Sequence, residues 1–421
     1  MEFSTIKGFK DILPEEVGPW QRLEQTARRV FHCFGYREIK TPLLERTELF
    51  SRSIGEETDI VSKEMYTFHD SKGRGMTLRP EATASLTRAY IQNRLYHQSP
   101  VQKLFTIGPM FRHEQPQKGR FRQFHQIDAE IFGDPGPMSD AELILMAMEI
   151  LRLLDLEGLT LAVNSLGCPE CRPGFRSELS KFLAQKTGAL CDNCTRRART
   201  NPLRIFDCKV PACGQAVAGA PSVLDFCCEA CRAHFKGLQG YLEEAQIPFR
   251  VDHRLVRGLD YYTRTAFEIQ TDLLGAQNAV VGGGRYDQLT QQLGGPDRPA
   301  IGFAMGMERV VALMERRGEA MPERPDLFIC ALGTEAGKAA FVWMTDLRRS
   351  GFWVEMDYSG KGLKAQMKRA HRLGARRALI VGEDELAAGK AVLRDMDNKR
   401  QEEVALEGLT SHLQQALRQN D

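Results

Sequence analysis

Residues 101–133 constrain the fold of this chain more tightly than any other stretch. VQKLFTIGPMFRHE (101–114) reads as one long strand, and GRFRQFHQIDAEIFG (119–133) alternates well enough to be its antiparallel partner. The intervening QPQKG has the proline, lysine and glycine of a loop. A hairpin this long implies an antiparallel sheet. Its second strand puts Arg120, Arg122, Gln126, Asp128 and Glu130 on one face, and Arg112, Glu114 and Lys118 lie on the neighbouring strand and loop. A polar face this rich is costly on a central hairpin unless it meets a ligand. Arginine on a strand can grip phosphate with its planar fork, and Phe121 and Phe124 interleave with the cations as they would where a purine ring stacks. The competing reading is a solvated strand face bearing ion pairs.

The rest of the N-terminal part also shows strands in succession. Residues 20–34 have helical spacing, closed by Gly35. Glu38 to Thr41 reads as a strand ended by Pro42, 75–80 as another strand, and Glu81 to Arg94 as a helix. Ser139 is expected to cap a helix running to about Leu154. Further strands are expected at 158–164, one or two within PFRVDHRLVRGLDYYTRTAFEIQT, one before the Gly282–Gly284 turn, and one in AIGFAMGMERVVALMERRG, which passes into a helix. MPERPD (321–326) marks a domain boundary. Beyond it, strand and helix alternate, which implies a small α/β domain with a partly parallel sheet over 326–421. Residues 1–325 then form an α+β domain built on an antiparallel sheet.

The chain has 11 cysteines, nine of them between Cys168 and Cys231. They form the pairs Cys168/Cys171, Cys191/Cys194, Cys208/Cys213 and Cys228/Cys231, with Cys227 left over. Two thiolate pairs per ion is the tetrahedral pattern of structural zinc. Eight thiolates could hold two ions, or four could hold one; an iron–sulfur site and metal-free packing of small apolar thiols stay open. Gly282–Gly284 lacks the spacing of a dinucleotide-binding fingerprint, and a tight turn accounts for it.

Composition excludes little else. Apolar residues at 42% and charged residues at 27% are ordinary for a folded domain. The 57 Lys and Arg against 55 Asp and Glu leave a net charge of +2, so any nucleic-acid surface must be local. One local run exists: KGLKAQMKRAHRLGARR (361–377) carries seven cations and no acid. Lys361, Lys364, Lys368 and Arg372 fall on one helical face, with Leu363, Met367, Ala370 and Leu373 expected on the opposite, buried face. No stretch reaches the ~20 apolar residues of a membrane span, and the N-terminus lacks a signal-peptide core, so a cytoplasmic protein is expected.

GPMFRHEQPQKGRFRQFHQIDAEIFG resembles motif 2 of the class II aminoacyl-tRNA synthetases, in the form of the histidyl-tRNA synthetase family. YREIKTPLLERTELF resembles their motif 1 and GFAMGMERV their motif 3; LVRGLDYYTR (255–264) and GGGRYD (282–287) resemble the two histidine signatures, and TLRPEAT and GFKDILP also match. The resemblance covers nearly the whole chain in the family's order. It implies a class II antiparallel sheet with surrounding helices, a Cys-rich helical insertion over about 165–245, and a C-terminal α/β anticodon-binding domain. It implies a ligase that activates histidine with ATP and Mg²⁺ and transfers it to tRNA-His, working as a homodimer.

Residue roles follow from the same resemblance. Arg112 matches the arginine that holds the α-phosphate and the substrate carboxylate, Arg257 one that faces the α-phosphate from the other side, and Arg309 a γ-phosphate contact. Glu114 and Phe124 match adenine contacts. Glu130 and Tyr262 match groups reaching the imidazole nitrogens, with Tyr261 and Tyr286 nearby, while Glu81, Thr83 and Gln126 match groups for the α-ammonium. Gln117 and Lys118 in the motif 2 loop, and the four cations of 361–372, are the expected tRNA contacts. Gln115 stands where many bacterial relatives have arginine, which leaves the discriminator-base contact unassigned. Two other classes compete: the synthetase-like regulatory subunit of histidine biosynthesis, which generally lacks the anticodon domain, and the synthetases for proline, threonine or glycine. The intact Arg112, Arg257 and Arg309 weigh against the first, and RGLDYY with Glu130 against the second.

Overall fold

In a computed structural model, residues 3–55, 58–115, 120–275, 278–317 and 324–418 are described. Gln117, Lys118 and the first half of the expected 321–326 linker lie outside them. The chain divides into two compact units, Met1–Ala320 and Met321–Asp421.

The first unit holds strands β1 (Arg37–Glu38), β2 (Leu44–Arg46), β3 (Tyr66–His69), β4 (Gly75–Leu78), β5 (Gln102–Phe111), β6 (Gln123–Phe132), β7 (Leu159–Ser165), β8 (Phe249–Val251), β9 (Thr263–Thr271), β10 (Ala279–Arg285) and β11 (Ala300–Gly306). Eight of them form one sheet in the order β1-β5-β6-β11-β10-β9-β7-β8. Pairing is antiparallel from β5 to β7 and parallel only at the two edges, β1/β5 and β7/β8. β2, β4 and β3 make a separate antiparallel sheet.

The sheet's two faces are written in the alternation of its strands. On β6 the odd residues Ile127, Ala129 and Ile131 enter the main core, as do Ile301, Phe303 and Met305 of β11 and Phe267 and Ile269 of β9. Helices α1 (Val17–Cys33), α4 (Pro137–Leu153) and α10 (Met307–Arg316) cover that face. On α1 the buried residues Leu23, Ala27, Val30 and Phe31 repeat at helical spacing, and Phe31 stacks on Phe105 of β5 with centroids 4.1 Å apart. The opposite face of the central strands carries Ala266, Gly282, Gly284, Gly302, Ala304 and Gly306. Small residues there leave room above the sheet. At Gly302 a Cβ would collide with the Glu130 carboxylate, and at Gly282 with the Arg257 guanidinium, so these two glycines permit the site's close packing.

Parallel neighbours such as β7 and β8 need a long crossover, and the cysteine-bearing segment is that crossover. It contains α5 (Arg172–Ala184), α6 (Asp192–Thr200), α7 (Pro211–Ala216) and α8 (Glu229–Glu244). Its own small core gathers Phe175, Leu179, Leu183, Ile205 and Val217 with Cys194 and Cys213. α8 returns to the sheet through Phe235, Leu238 and Leu242.

Several sequence expectations shift. Gly282–Gly284 form no turn but lie within β10, paired with β9 and β11. The strand expected over Glu38–Thr41 is the two-residue β1, because Pro42 has no N–H to donate and the chain leaves the sheet after Ile39. The helix expected over Glu81–Arg94 is α3 (Thr83–Gln92): the Glu81 carboxylate accepts from the N–H groups of Thr83 and Ala84, both at 2.9 Å, and so precedes the helix as its cap. Ser139 does not cap α4, which starts at Pro137 behind Gly136; its hydroxyl donates to the Gly136 carbonyl at 3.0 Å.

The second unit contains β12 (Leu327–Ala331), α11 (Thr334–Arg349), β13 (Val354–Met356), α12 (Leu363–Arg372), β14 (Arg377–Val381), β15 (Lys390–Asp395), β16 (Gln401–Ala405) and a C-terminal helix Leu409–Arg418. The sheet order is β13-β12-β14-β15-β16, parallel among the first three and antiparallel beyond. On α12 the cations Lys364, Lys368 and Arg372, with Lys361 just before, are exposed as expected. Leu363 and Leu373 are exposed too, contrary to expectation; the buried side is Gln366 and Ala370, with Gln366 donating to the Ala331 carbonyl at 2.8 Å. Gln366 stands in for an apolar residue because that carbonyl needs a donor.

Candidate active site and cysteine centres

The small residues of β10 and β11 form the floor of a cavity of about 310 Å³. Its lining includes Glu81, Thr83, Arg112, Glu114, Phe124, Gln126, Asp128, Arg257, Tyr261, Tyr262 and Arg309. Most of the residues singled out in the sequence thus meet in one place, although they come from positions 81 to 309. Glu130 and Tyr286 sit behind the wall, outside the lining.

Several arginines line the cavity. Arg112 leaves β5 with its Nε donating to the Pro80 carbonyl at 2.9 Å, and its guanidinium lies 5.2 Å from the Phe124 ring centroid. Arg120 pairs with Glu114 at 2.7 Å. Arg309, on the first turn of α10, donates to the Ala279 carbonyl. Burial, then repulsion from Arg120 and Arg112, holds Arg309 below the ordinary arginine value. Guanidiniums that destabilise one another's charge in a shared cavity make a site for a polyanion. Arg257 pairs with Glu268 across the cavity floor and lies 5.6 Å from the Tyr262 ring centroid, and its Nε has no partner among the described residues.

Buried acids stand with them. Glu81, Asp128 and Glu130 are all buried, and burial raises all three above the usual carboxylate range, Asp128 and Glu130 well above it. Glu130 accepts from Thr83 Oγ1 at 2.7 Å and from the Tyr286 hydroxyl. The Tyr261 hydroxyl donates to Glu81 at 3.5 Å. Asp128 Oδ2 and Gln126 Oε1 have no hydrogen-bond partner among the described residues. Buried acceptors left open toward a cavity await a donor from a ligand. Asp128 was missed as a site residue, yet it shares the Gln126–Glu130 alternation and could have been found by it. Glu268 and Lys209 were missed with less signal: one lies on β9 outside the motif segments, and the other belongs to the insertion.

A fully buried ionic cluster lies outside the cavity. Arg285 binds Asp140, which also accepts from Thr265 at 2.5 Å and bonds His234 at 2.8 Å. Burial opposes the charge of Asp140, but Arg285 and His234 hold it below the ordinary value. This cluster ties α4, α8, β9 and β10 together and explains why GGGRYD carries an arginine.

The eight paired cysteines form two quartets. Cys168, Cys171, Cys228 and Cys231 make an outer one where the insertion leaves and rejoins the sheet; Cys191, Cys194, Cys208 and Cys213 make an inner one. Within each quartet the sulfurs all lie within 4.8 Å of one another. The separations Cys168–Cys171 of 3.5 Å, Cys168–Cys228 of 4.0 Å and Cys191–Cys208 of 3.9 Å bracket the ~3.8 Å edge of a tetrahedron with zinc–sulfur bonds of about 2.3 Å. Cys228 N–H donates to Cys171 Sγ at 3.1 Å and Cys191 N–H to Cys213 Sγ at 3.2 Å, the backbone support that thiolate ligands need. Cys171 and Cys191 are lowered to about 7: backbone hydrogen bonds and neighbouring thiols outweigh burial at Cys171, and a backbone bond leads at Cys191. Cys227 is outside both quartets and is raised to about 11, chiefly by burial.

The antiparallel sheet, its arginine-lined cavity and the separate C-terminal α/β unit are those of a class II aminoacyl-tRNA synthetase. The family model for histidyl-tRNA synthetase matches residues 8–310, and that for the anticodon binding domain matches 326–416. Histidine–tRNA ligase of Desulfatibacillum aliphaticivorans is 56% identical over 98% of this chain and 99% of its own, and that of Syntrophotalea carbinolica is 52% identical over the whole of both. The structure of apo histidyl-tRNA synthetase from S. aureus superposes with a TM-score of 0.82 at 34% identity, covering 98% of this chain and 100% of the other. The chain belongs to the histidyl-tRNA synthetase family.

Proposed function

We propose that this chain joins histidine to ATP, giving histidyl-adenylate and pyrophosphate, and then transfers the histidyl group to the 3′ end of tRNA-His. The observation that carries this reading is that one cavity gathers Arg112, Arg257 and Arg309 with the buried acids Glu81 and Asp128, the latter with an open oxygen. Histidine enters with its ammonium toward Glu81, Gln126 and Asp128 and its ring toward Tyr262 and the Glu130–Thr83–Tyr286 network. An apolar side chain there would leave those groups unpaired, which is a strong basis for rejection. The carboxylate then faces the arginines. ATP lays its adenine on Phe124 near Glu114 and its phosphates between Arg112, Arg257 and Arg309. The carboxylate attacks the α-phosphorus, a new C–O–P link forms, and the bond to pyrophosphate breaks. Arg112 and Arg257 stabilise the charge that grows on the α-phosphate oxygens, so positioning and electrostatics supply the rate. Mg²⁺ bound with ATP would neutralise phosphate charge, and Glu114, Glu268 and Glu308 on the wall are the hard oxygen ligands that would hold it.

Each cysteine quartet holds one structural Zn²⁺, supported by the tetrahedral sulfur spacing and the N–H to sulfur bonds. Such thiols stay reduced in the cytoplasm, where the enzyme works. α12 and Lys361 contact the tRNA through phosphates, as do Gln117 and Lys118 of the motif 2 loop. The chain acts as a homodimer joined through motif 1 and the small sheet, where Leu43, Leu44 and Phe68 are each more than 40% exposed and would otherwise face water. No helix among the described residues is long and apolar enough to cross a membrane.

Aminoacylation tests the whole reading. Purified protein with ATP, bulk tRNA and each labelled amino acid should charge tRNA with histidine alone; charging with a different amino acid would refute it.

A further inference from the structure

Lys209 lines the active-site cavity beside Arg257 and Glu268, although it belongs to the insertion, between α6 and α7. It follows Cys208 directly, and Cys208 is a member of the inner quartet. The segment leading to it is fastened at each step. Asn201 Nδ2 donates to Asp260 Oδ1 at 3.0 Å, Arg204 Nη1 donates to the Arg257 carbonyl at 3.5 Å, and Cys208 N–H donates to the Ile205 carbonyl at 3.0 Å. Pro202 and Ile205 are buried. The inner quartet then fixes Cys208 through its sulfur, 3.9 Å from Cys191 Sγ. The Lys209 side chain is exposed and makes no ion pair among the described residues. Arg257 and Arg120 in the same cavity are each paired with a glutamate. Lys209 acts through space on Asp207 but forms no salt bridge among the described residues, and a cation so placed at a phosphate site can bind an anion from the ligand.

We propose that Lys209 is a phosphate-binding residue of the active site, delivered by the insertion and held there by the inner cysteine quartet. The proposal rests on the ligase reading above. Its ligand is a phosphate oxygen, from the ATP polyphosphate in the first step or from the terminal phosphodiester of tRNA in the second. The quartet is then a positioning centre for the cavity as well as a fastening for the insertion.

Full-length wild type, Lys209→Ala, Lys209→Arg and Cys208→Ser separate the possibilities. If ATP is the ligand, Lys209→Ala weakens ATP binding by calorimetry and raises its KM in pyrophosphate exchange, both about tenfold. If tRNA is the ligand, exchange is unchanged and transfer from preformed adenylate slows about tenfold. Lys209→Arg should recover most of either loss. A Lys209→Ala enzyme within twofold of wild type in both steps overturns the proposal. Cys208→Ser should lose one zinc per chain by elemental analysis and reproduce the Lys209→Ala defect, and the double variant should be no worse than the poorer single one. Additive losses would break the link between quartet and lysine. A wild type inert toward histidine would instead refute the ligase reading itself.

Discussion

At the scale of single residues, charge and its environment decide what the cavity can do. Asp128 is buried with one oxygen open, and burial raises its carboxyl well above the usual range. Its folded value lies above its unfolded value near 3.9, so it costs no stability below about pH 4 and increasingly more as pH rises toward the folded value. Asp128→Asn should therefore raise Tm at pH 8, gain little at pH 4, and raise the KM for histidine. A lower Tm at pH 8 would show that the carboxylate is held for stability rather than for a ligand. Arg257 makes a different case, because its guanidinium faces both Glu268 and the cavity. Arg257→Ala should remove about 3–4 kcal/mol of transition-state stabilisation, read as a fall in kcat, with the KM for histidine within a few-fold of wild type. An unchanged kcat would contradict its role at the α-phosphate.

At the scale of elements, the alternation of β6 told both its faces, and the core face of α1 followed from helical spacing, because each pattern is a local consequence of burial on one side. α12 was read only in part. Its cationic side was legible, but Gln366 replaced an apolar residue to satisfy a carbonyl of β12, which no local pattern announces. Glutamate replacing both Lys364 and Lys368 should weaken tRNA binding, lower the log–log salt slope by about 1 to 2, and leave pyrophosphate exchange unchanged. Equal loss in exchange would mean the helix supports the fold. The cysteine pairs were legible as pairs. Their nesting was not, since the outer quartet joins the first pair to the last across about 60 residues, a consequence of the crossover between β7 and β8. Elemental analysis should find two zinc ions per chain, falling to one in Cys171→Ser; a metal-free wild type of full activity would leave packing alone to hold the insertion.

At the scale of the whole molecule, the fold reads as a division of labour between the two faces of one sheet. The core-facing residues hold α1, α4 and α10, and the small residues opposite leave the volume in which distant side chains meet. The motif residues were recognisable because their chemistry is fixed by the reaction. Glu268 and Lys209 were not, because they reach the cavity only through strand order and the path of the insertion. The buried Arg285–Asp140–His234 cluster was hidden for the same reason, as its members are up to 145 residues apart. ATP–pyrophosphate exchange, measured with each amino acid in turn, reads the cavity's chemistry without tRNA. The expected result is rapid exchange with histidine and none above background with the others. Exchange absent with histidine, or equally fast with another amino acid, would contradict the assignment of the cavity.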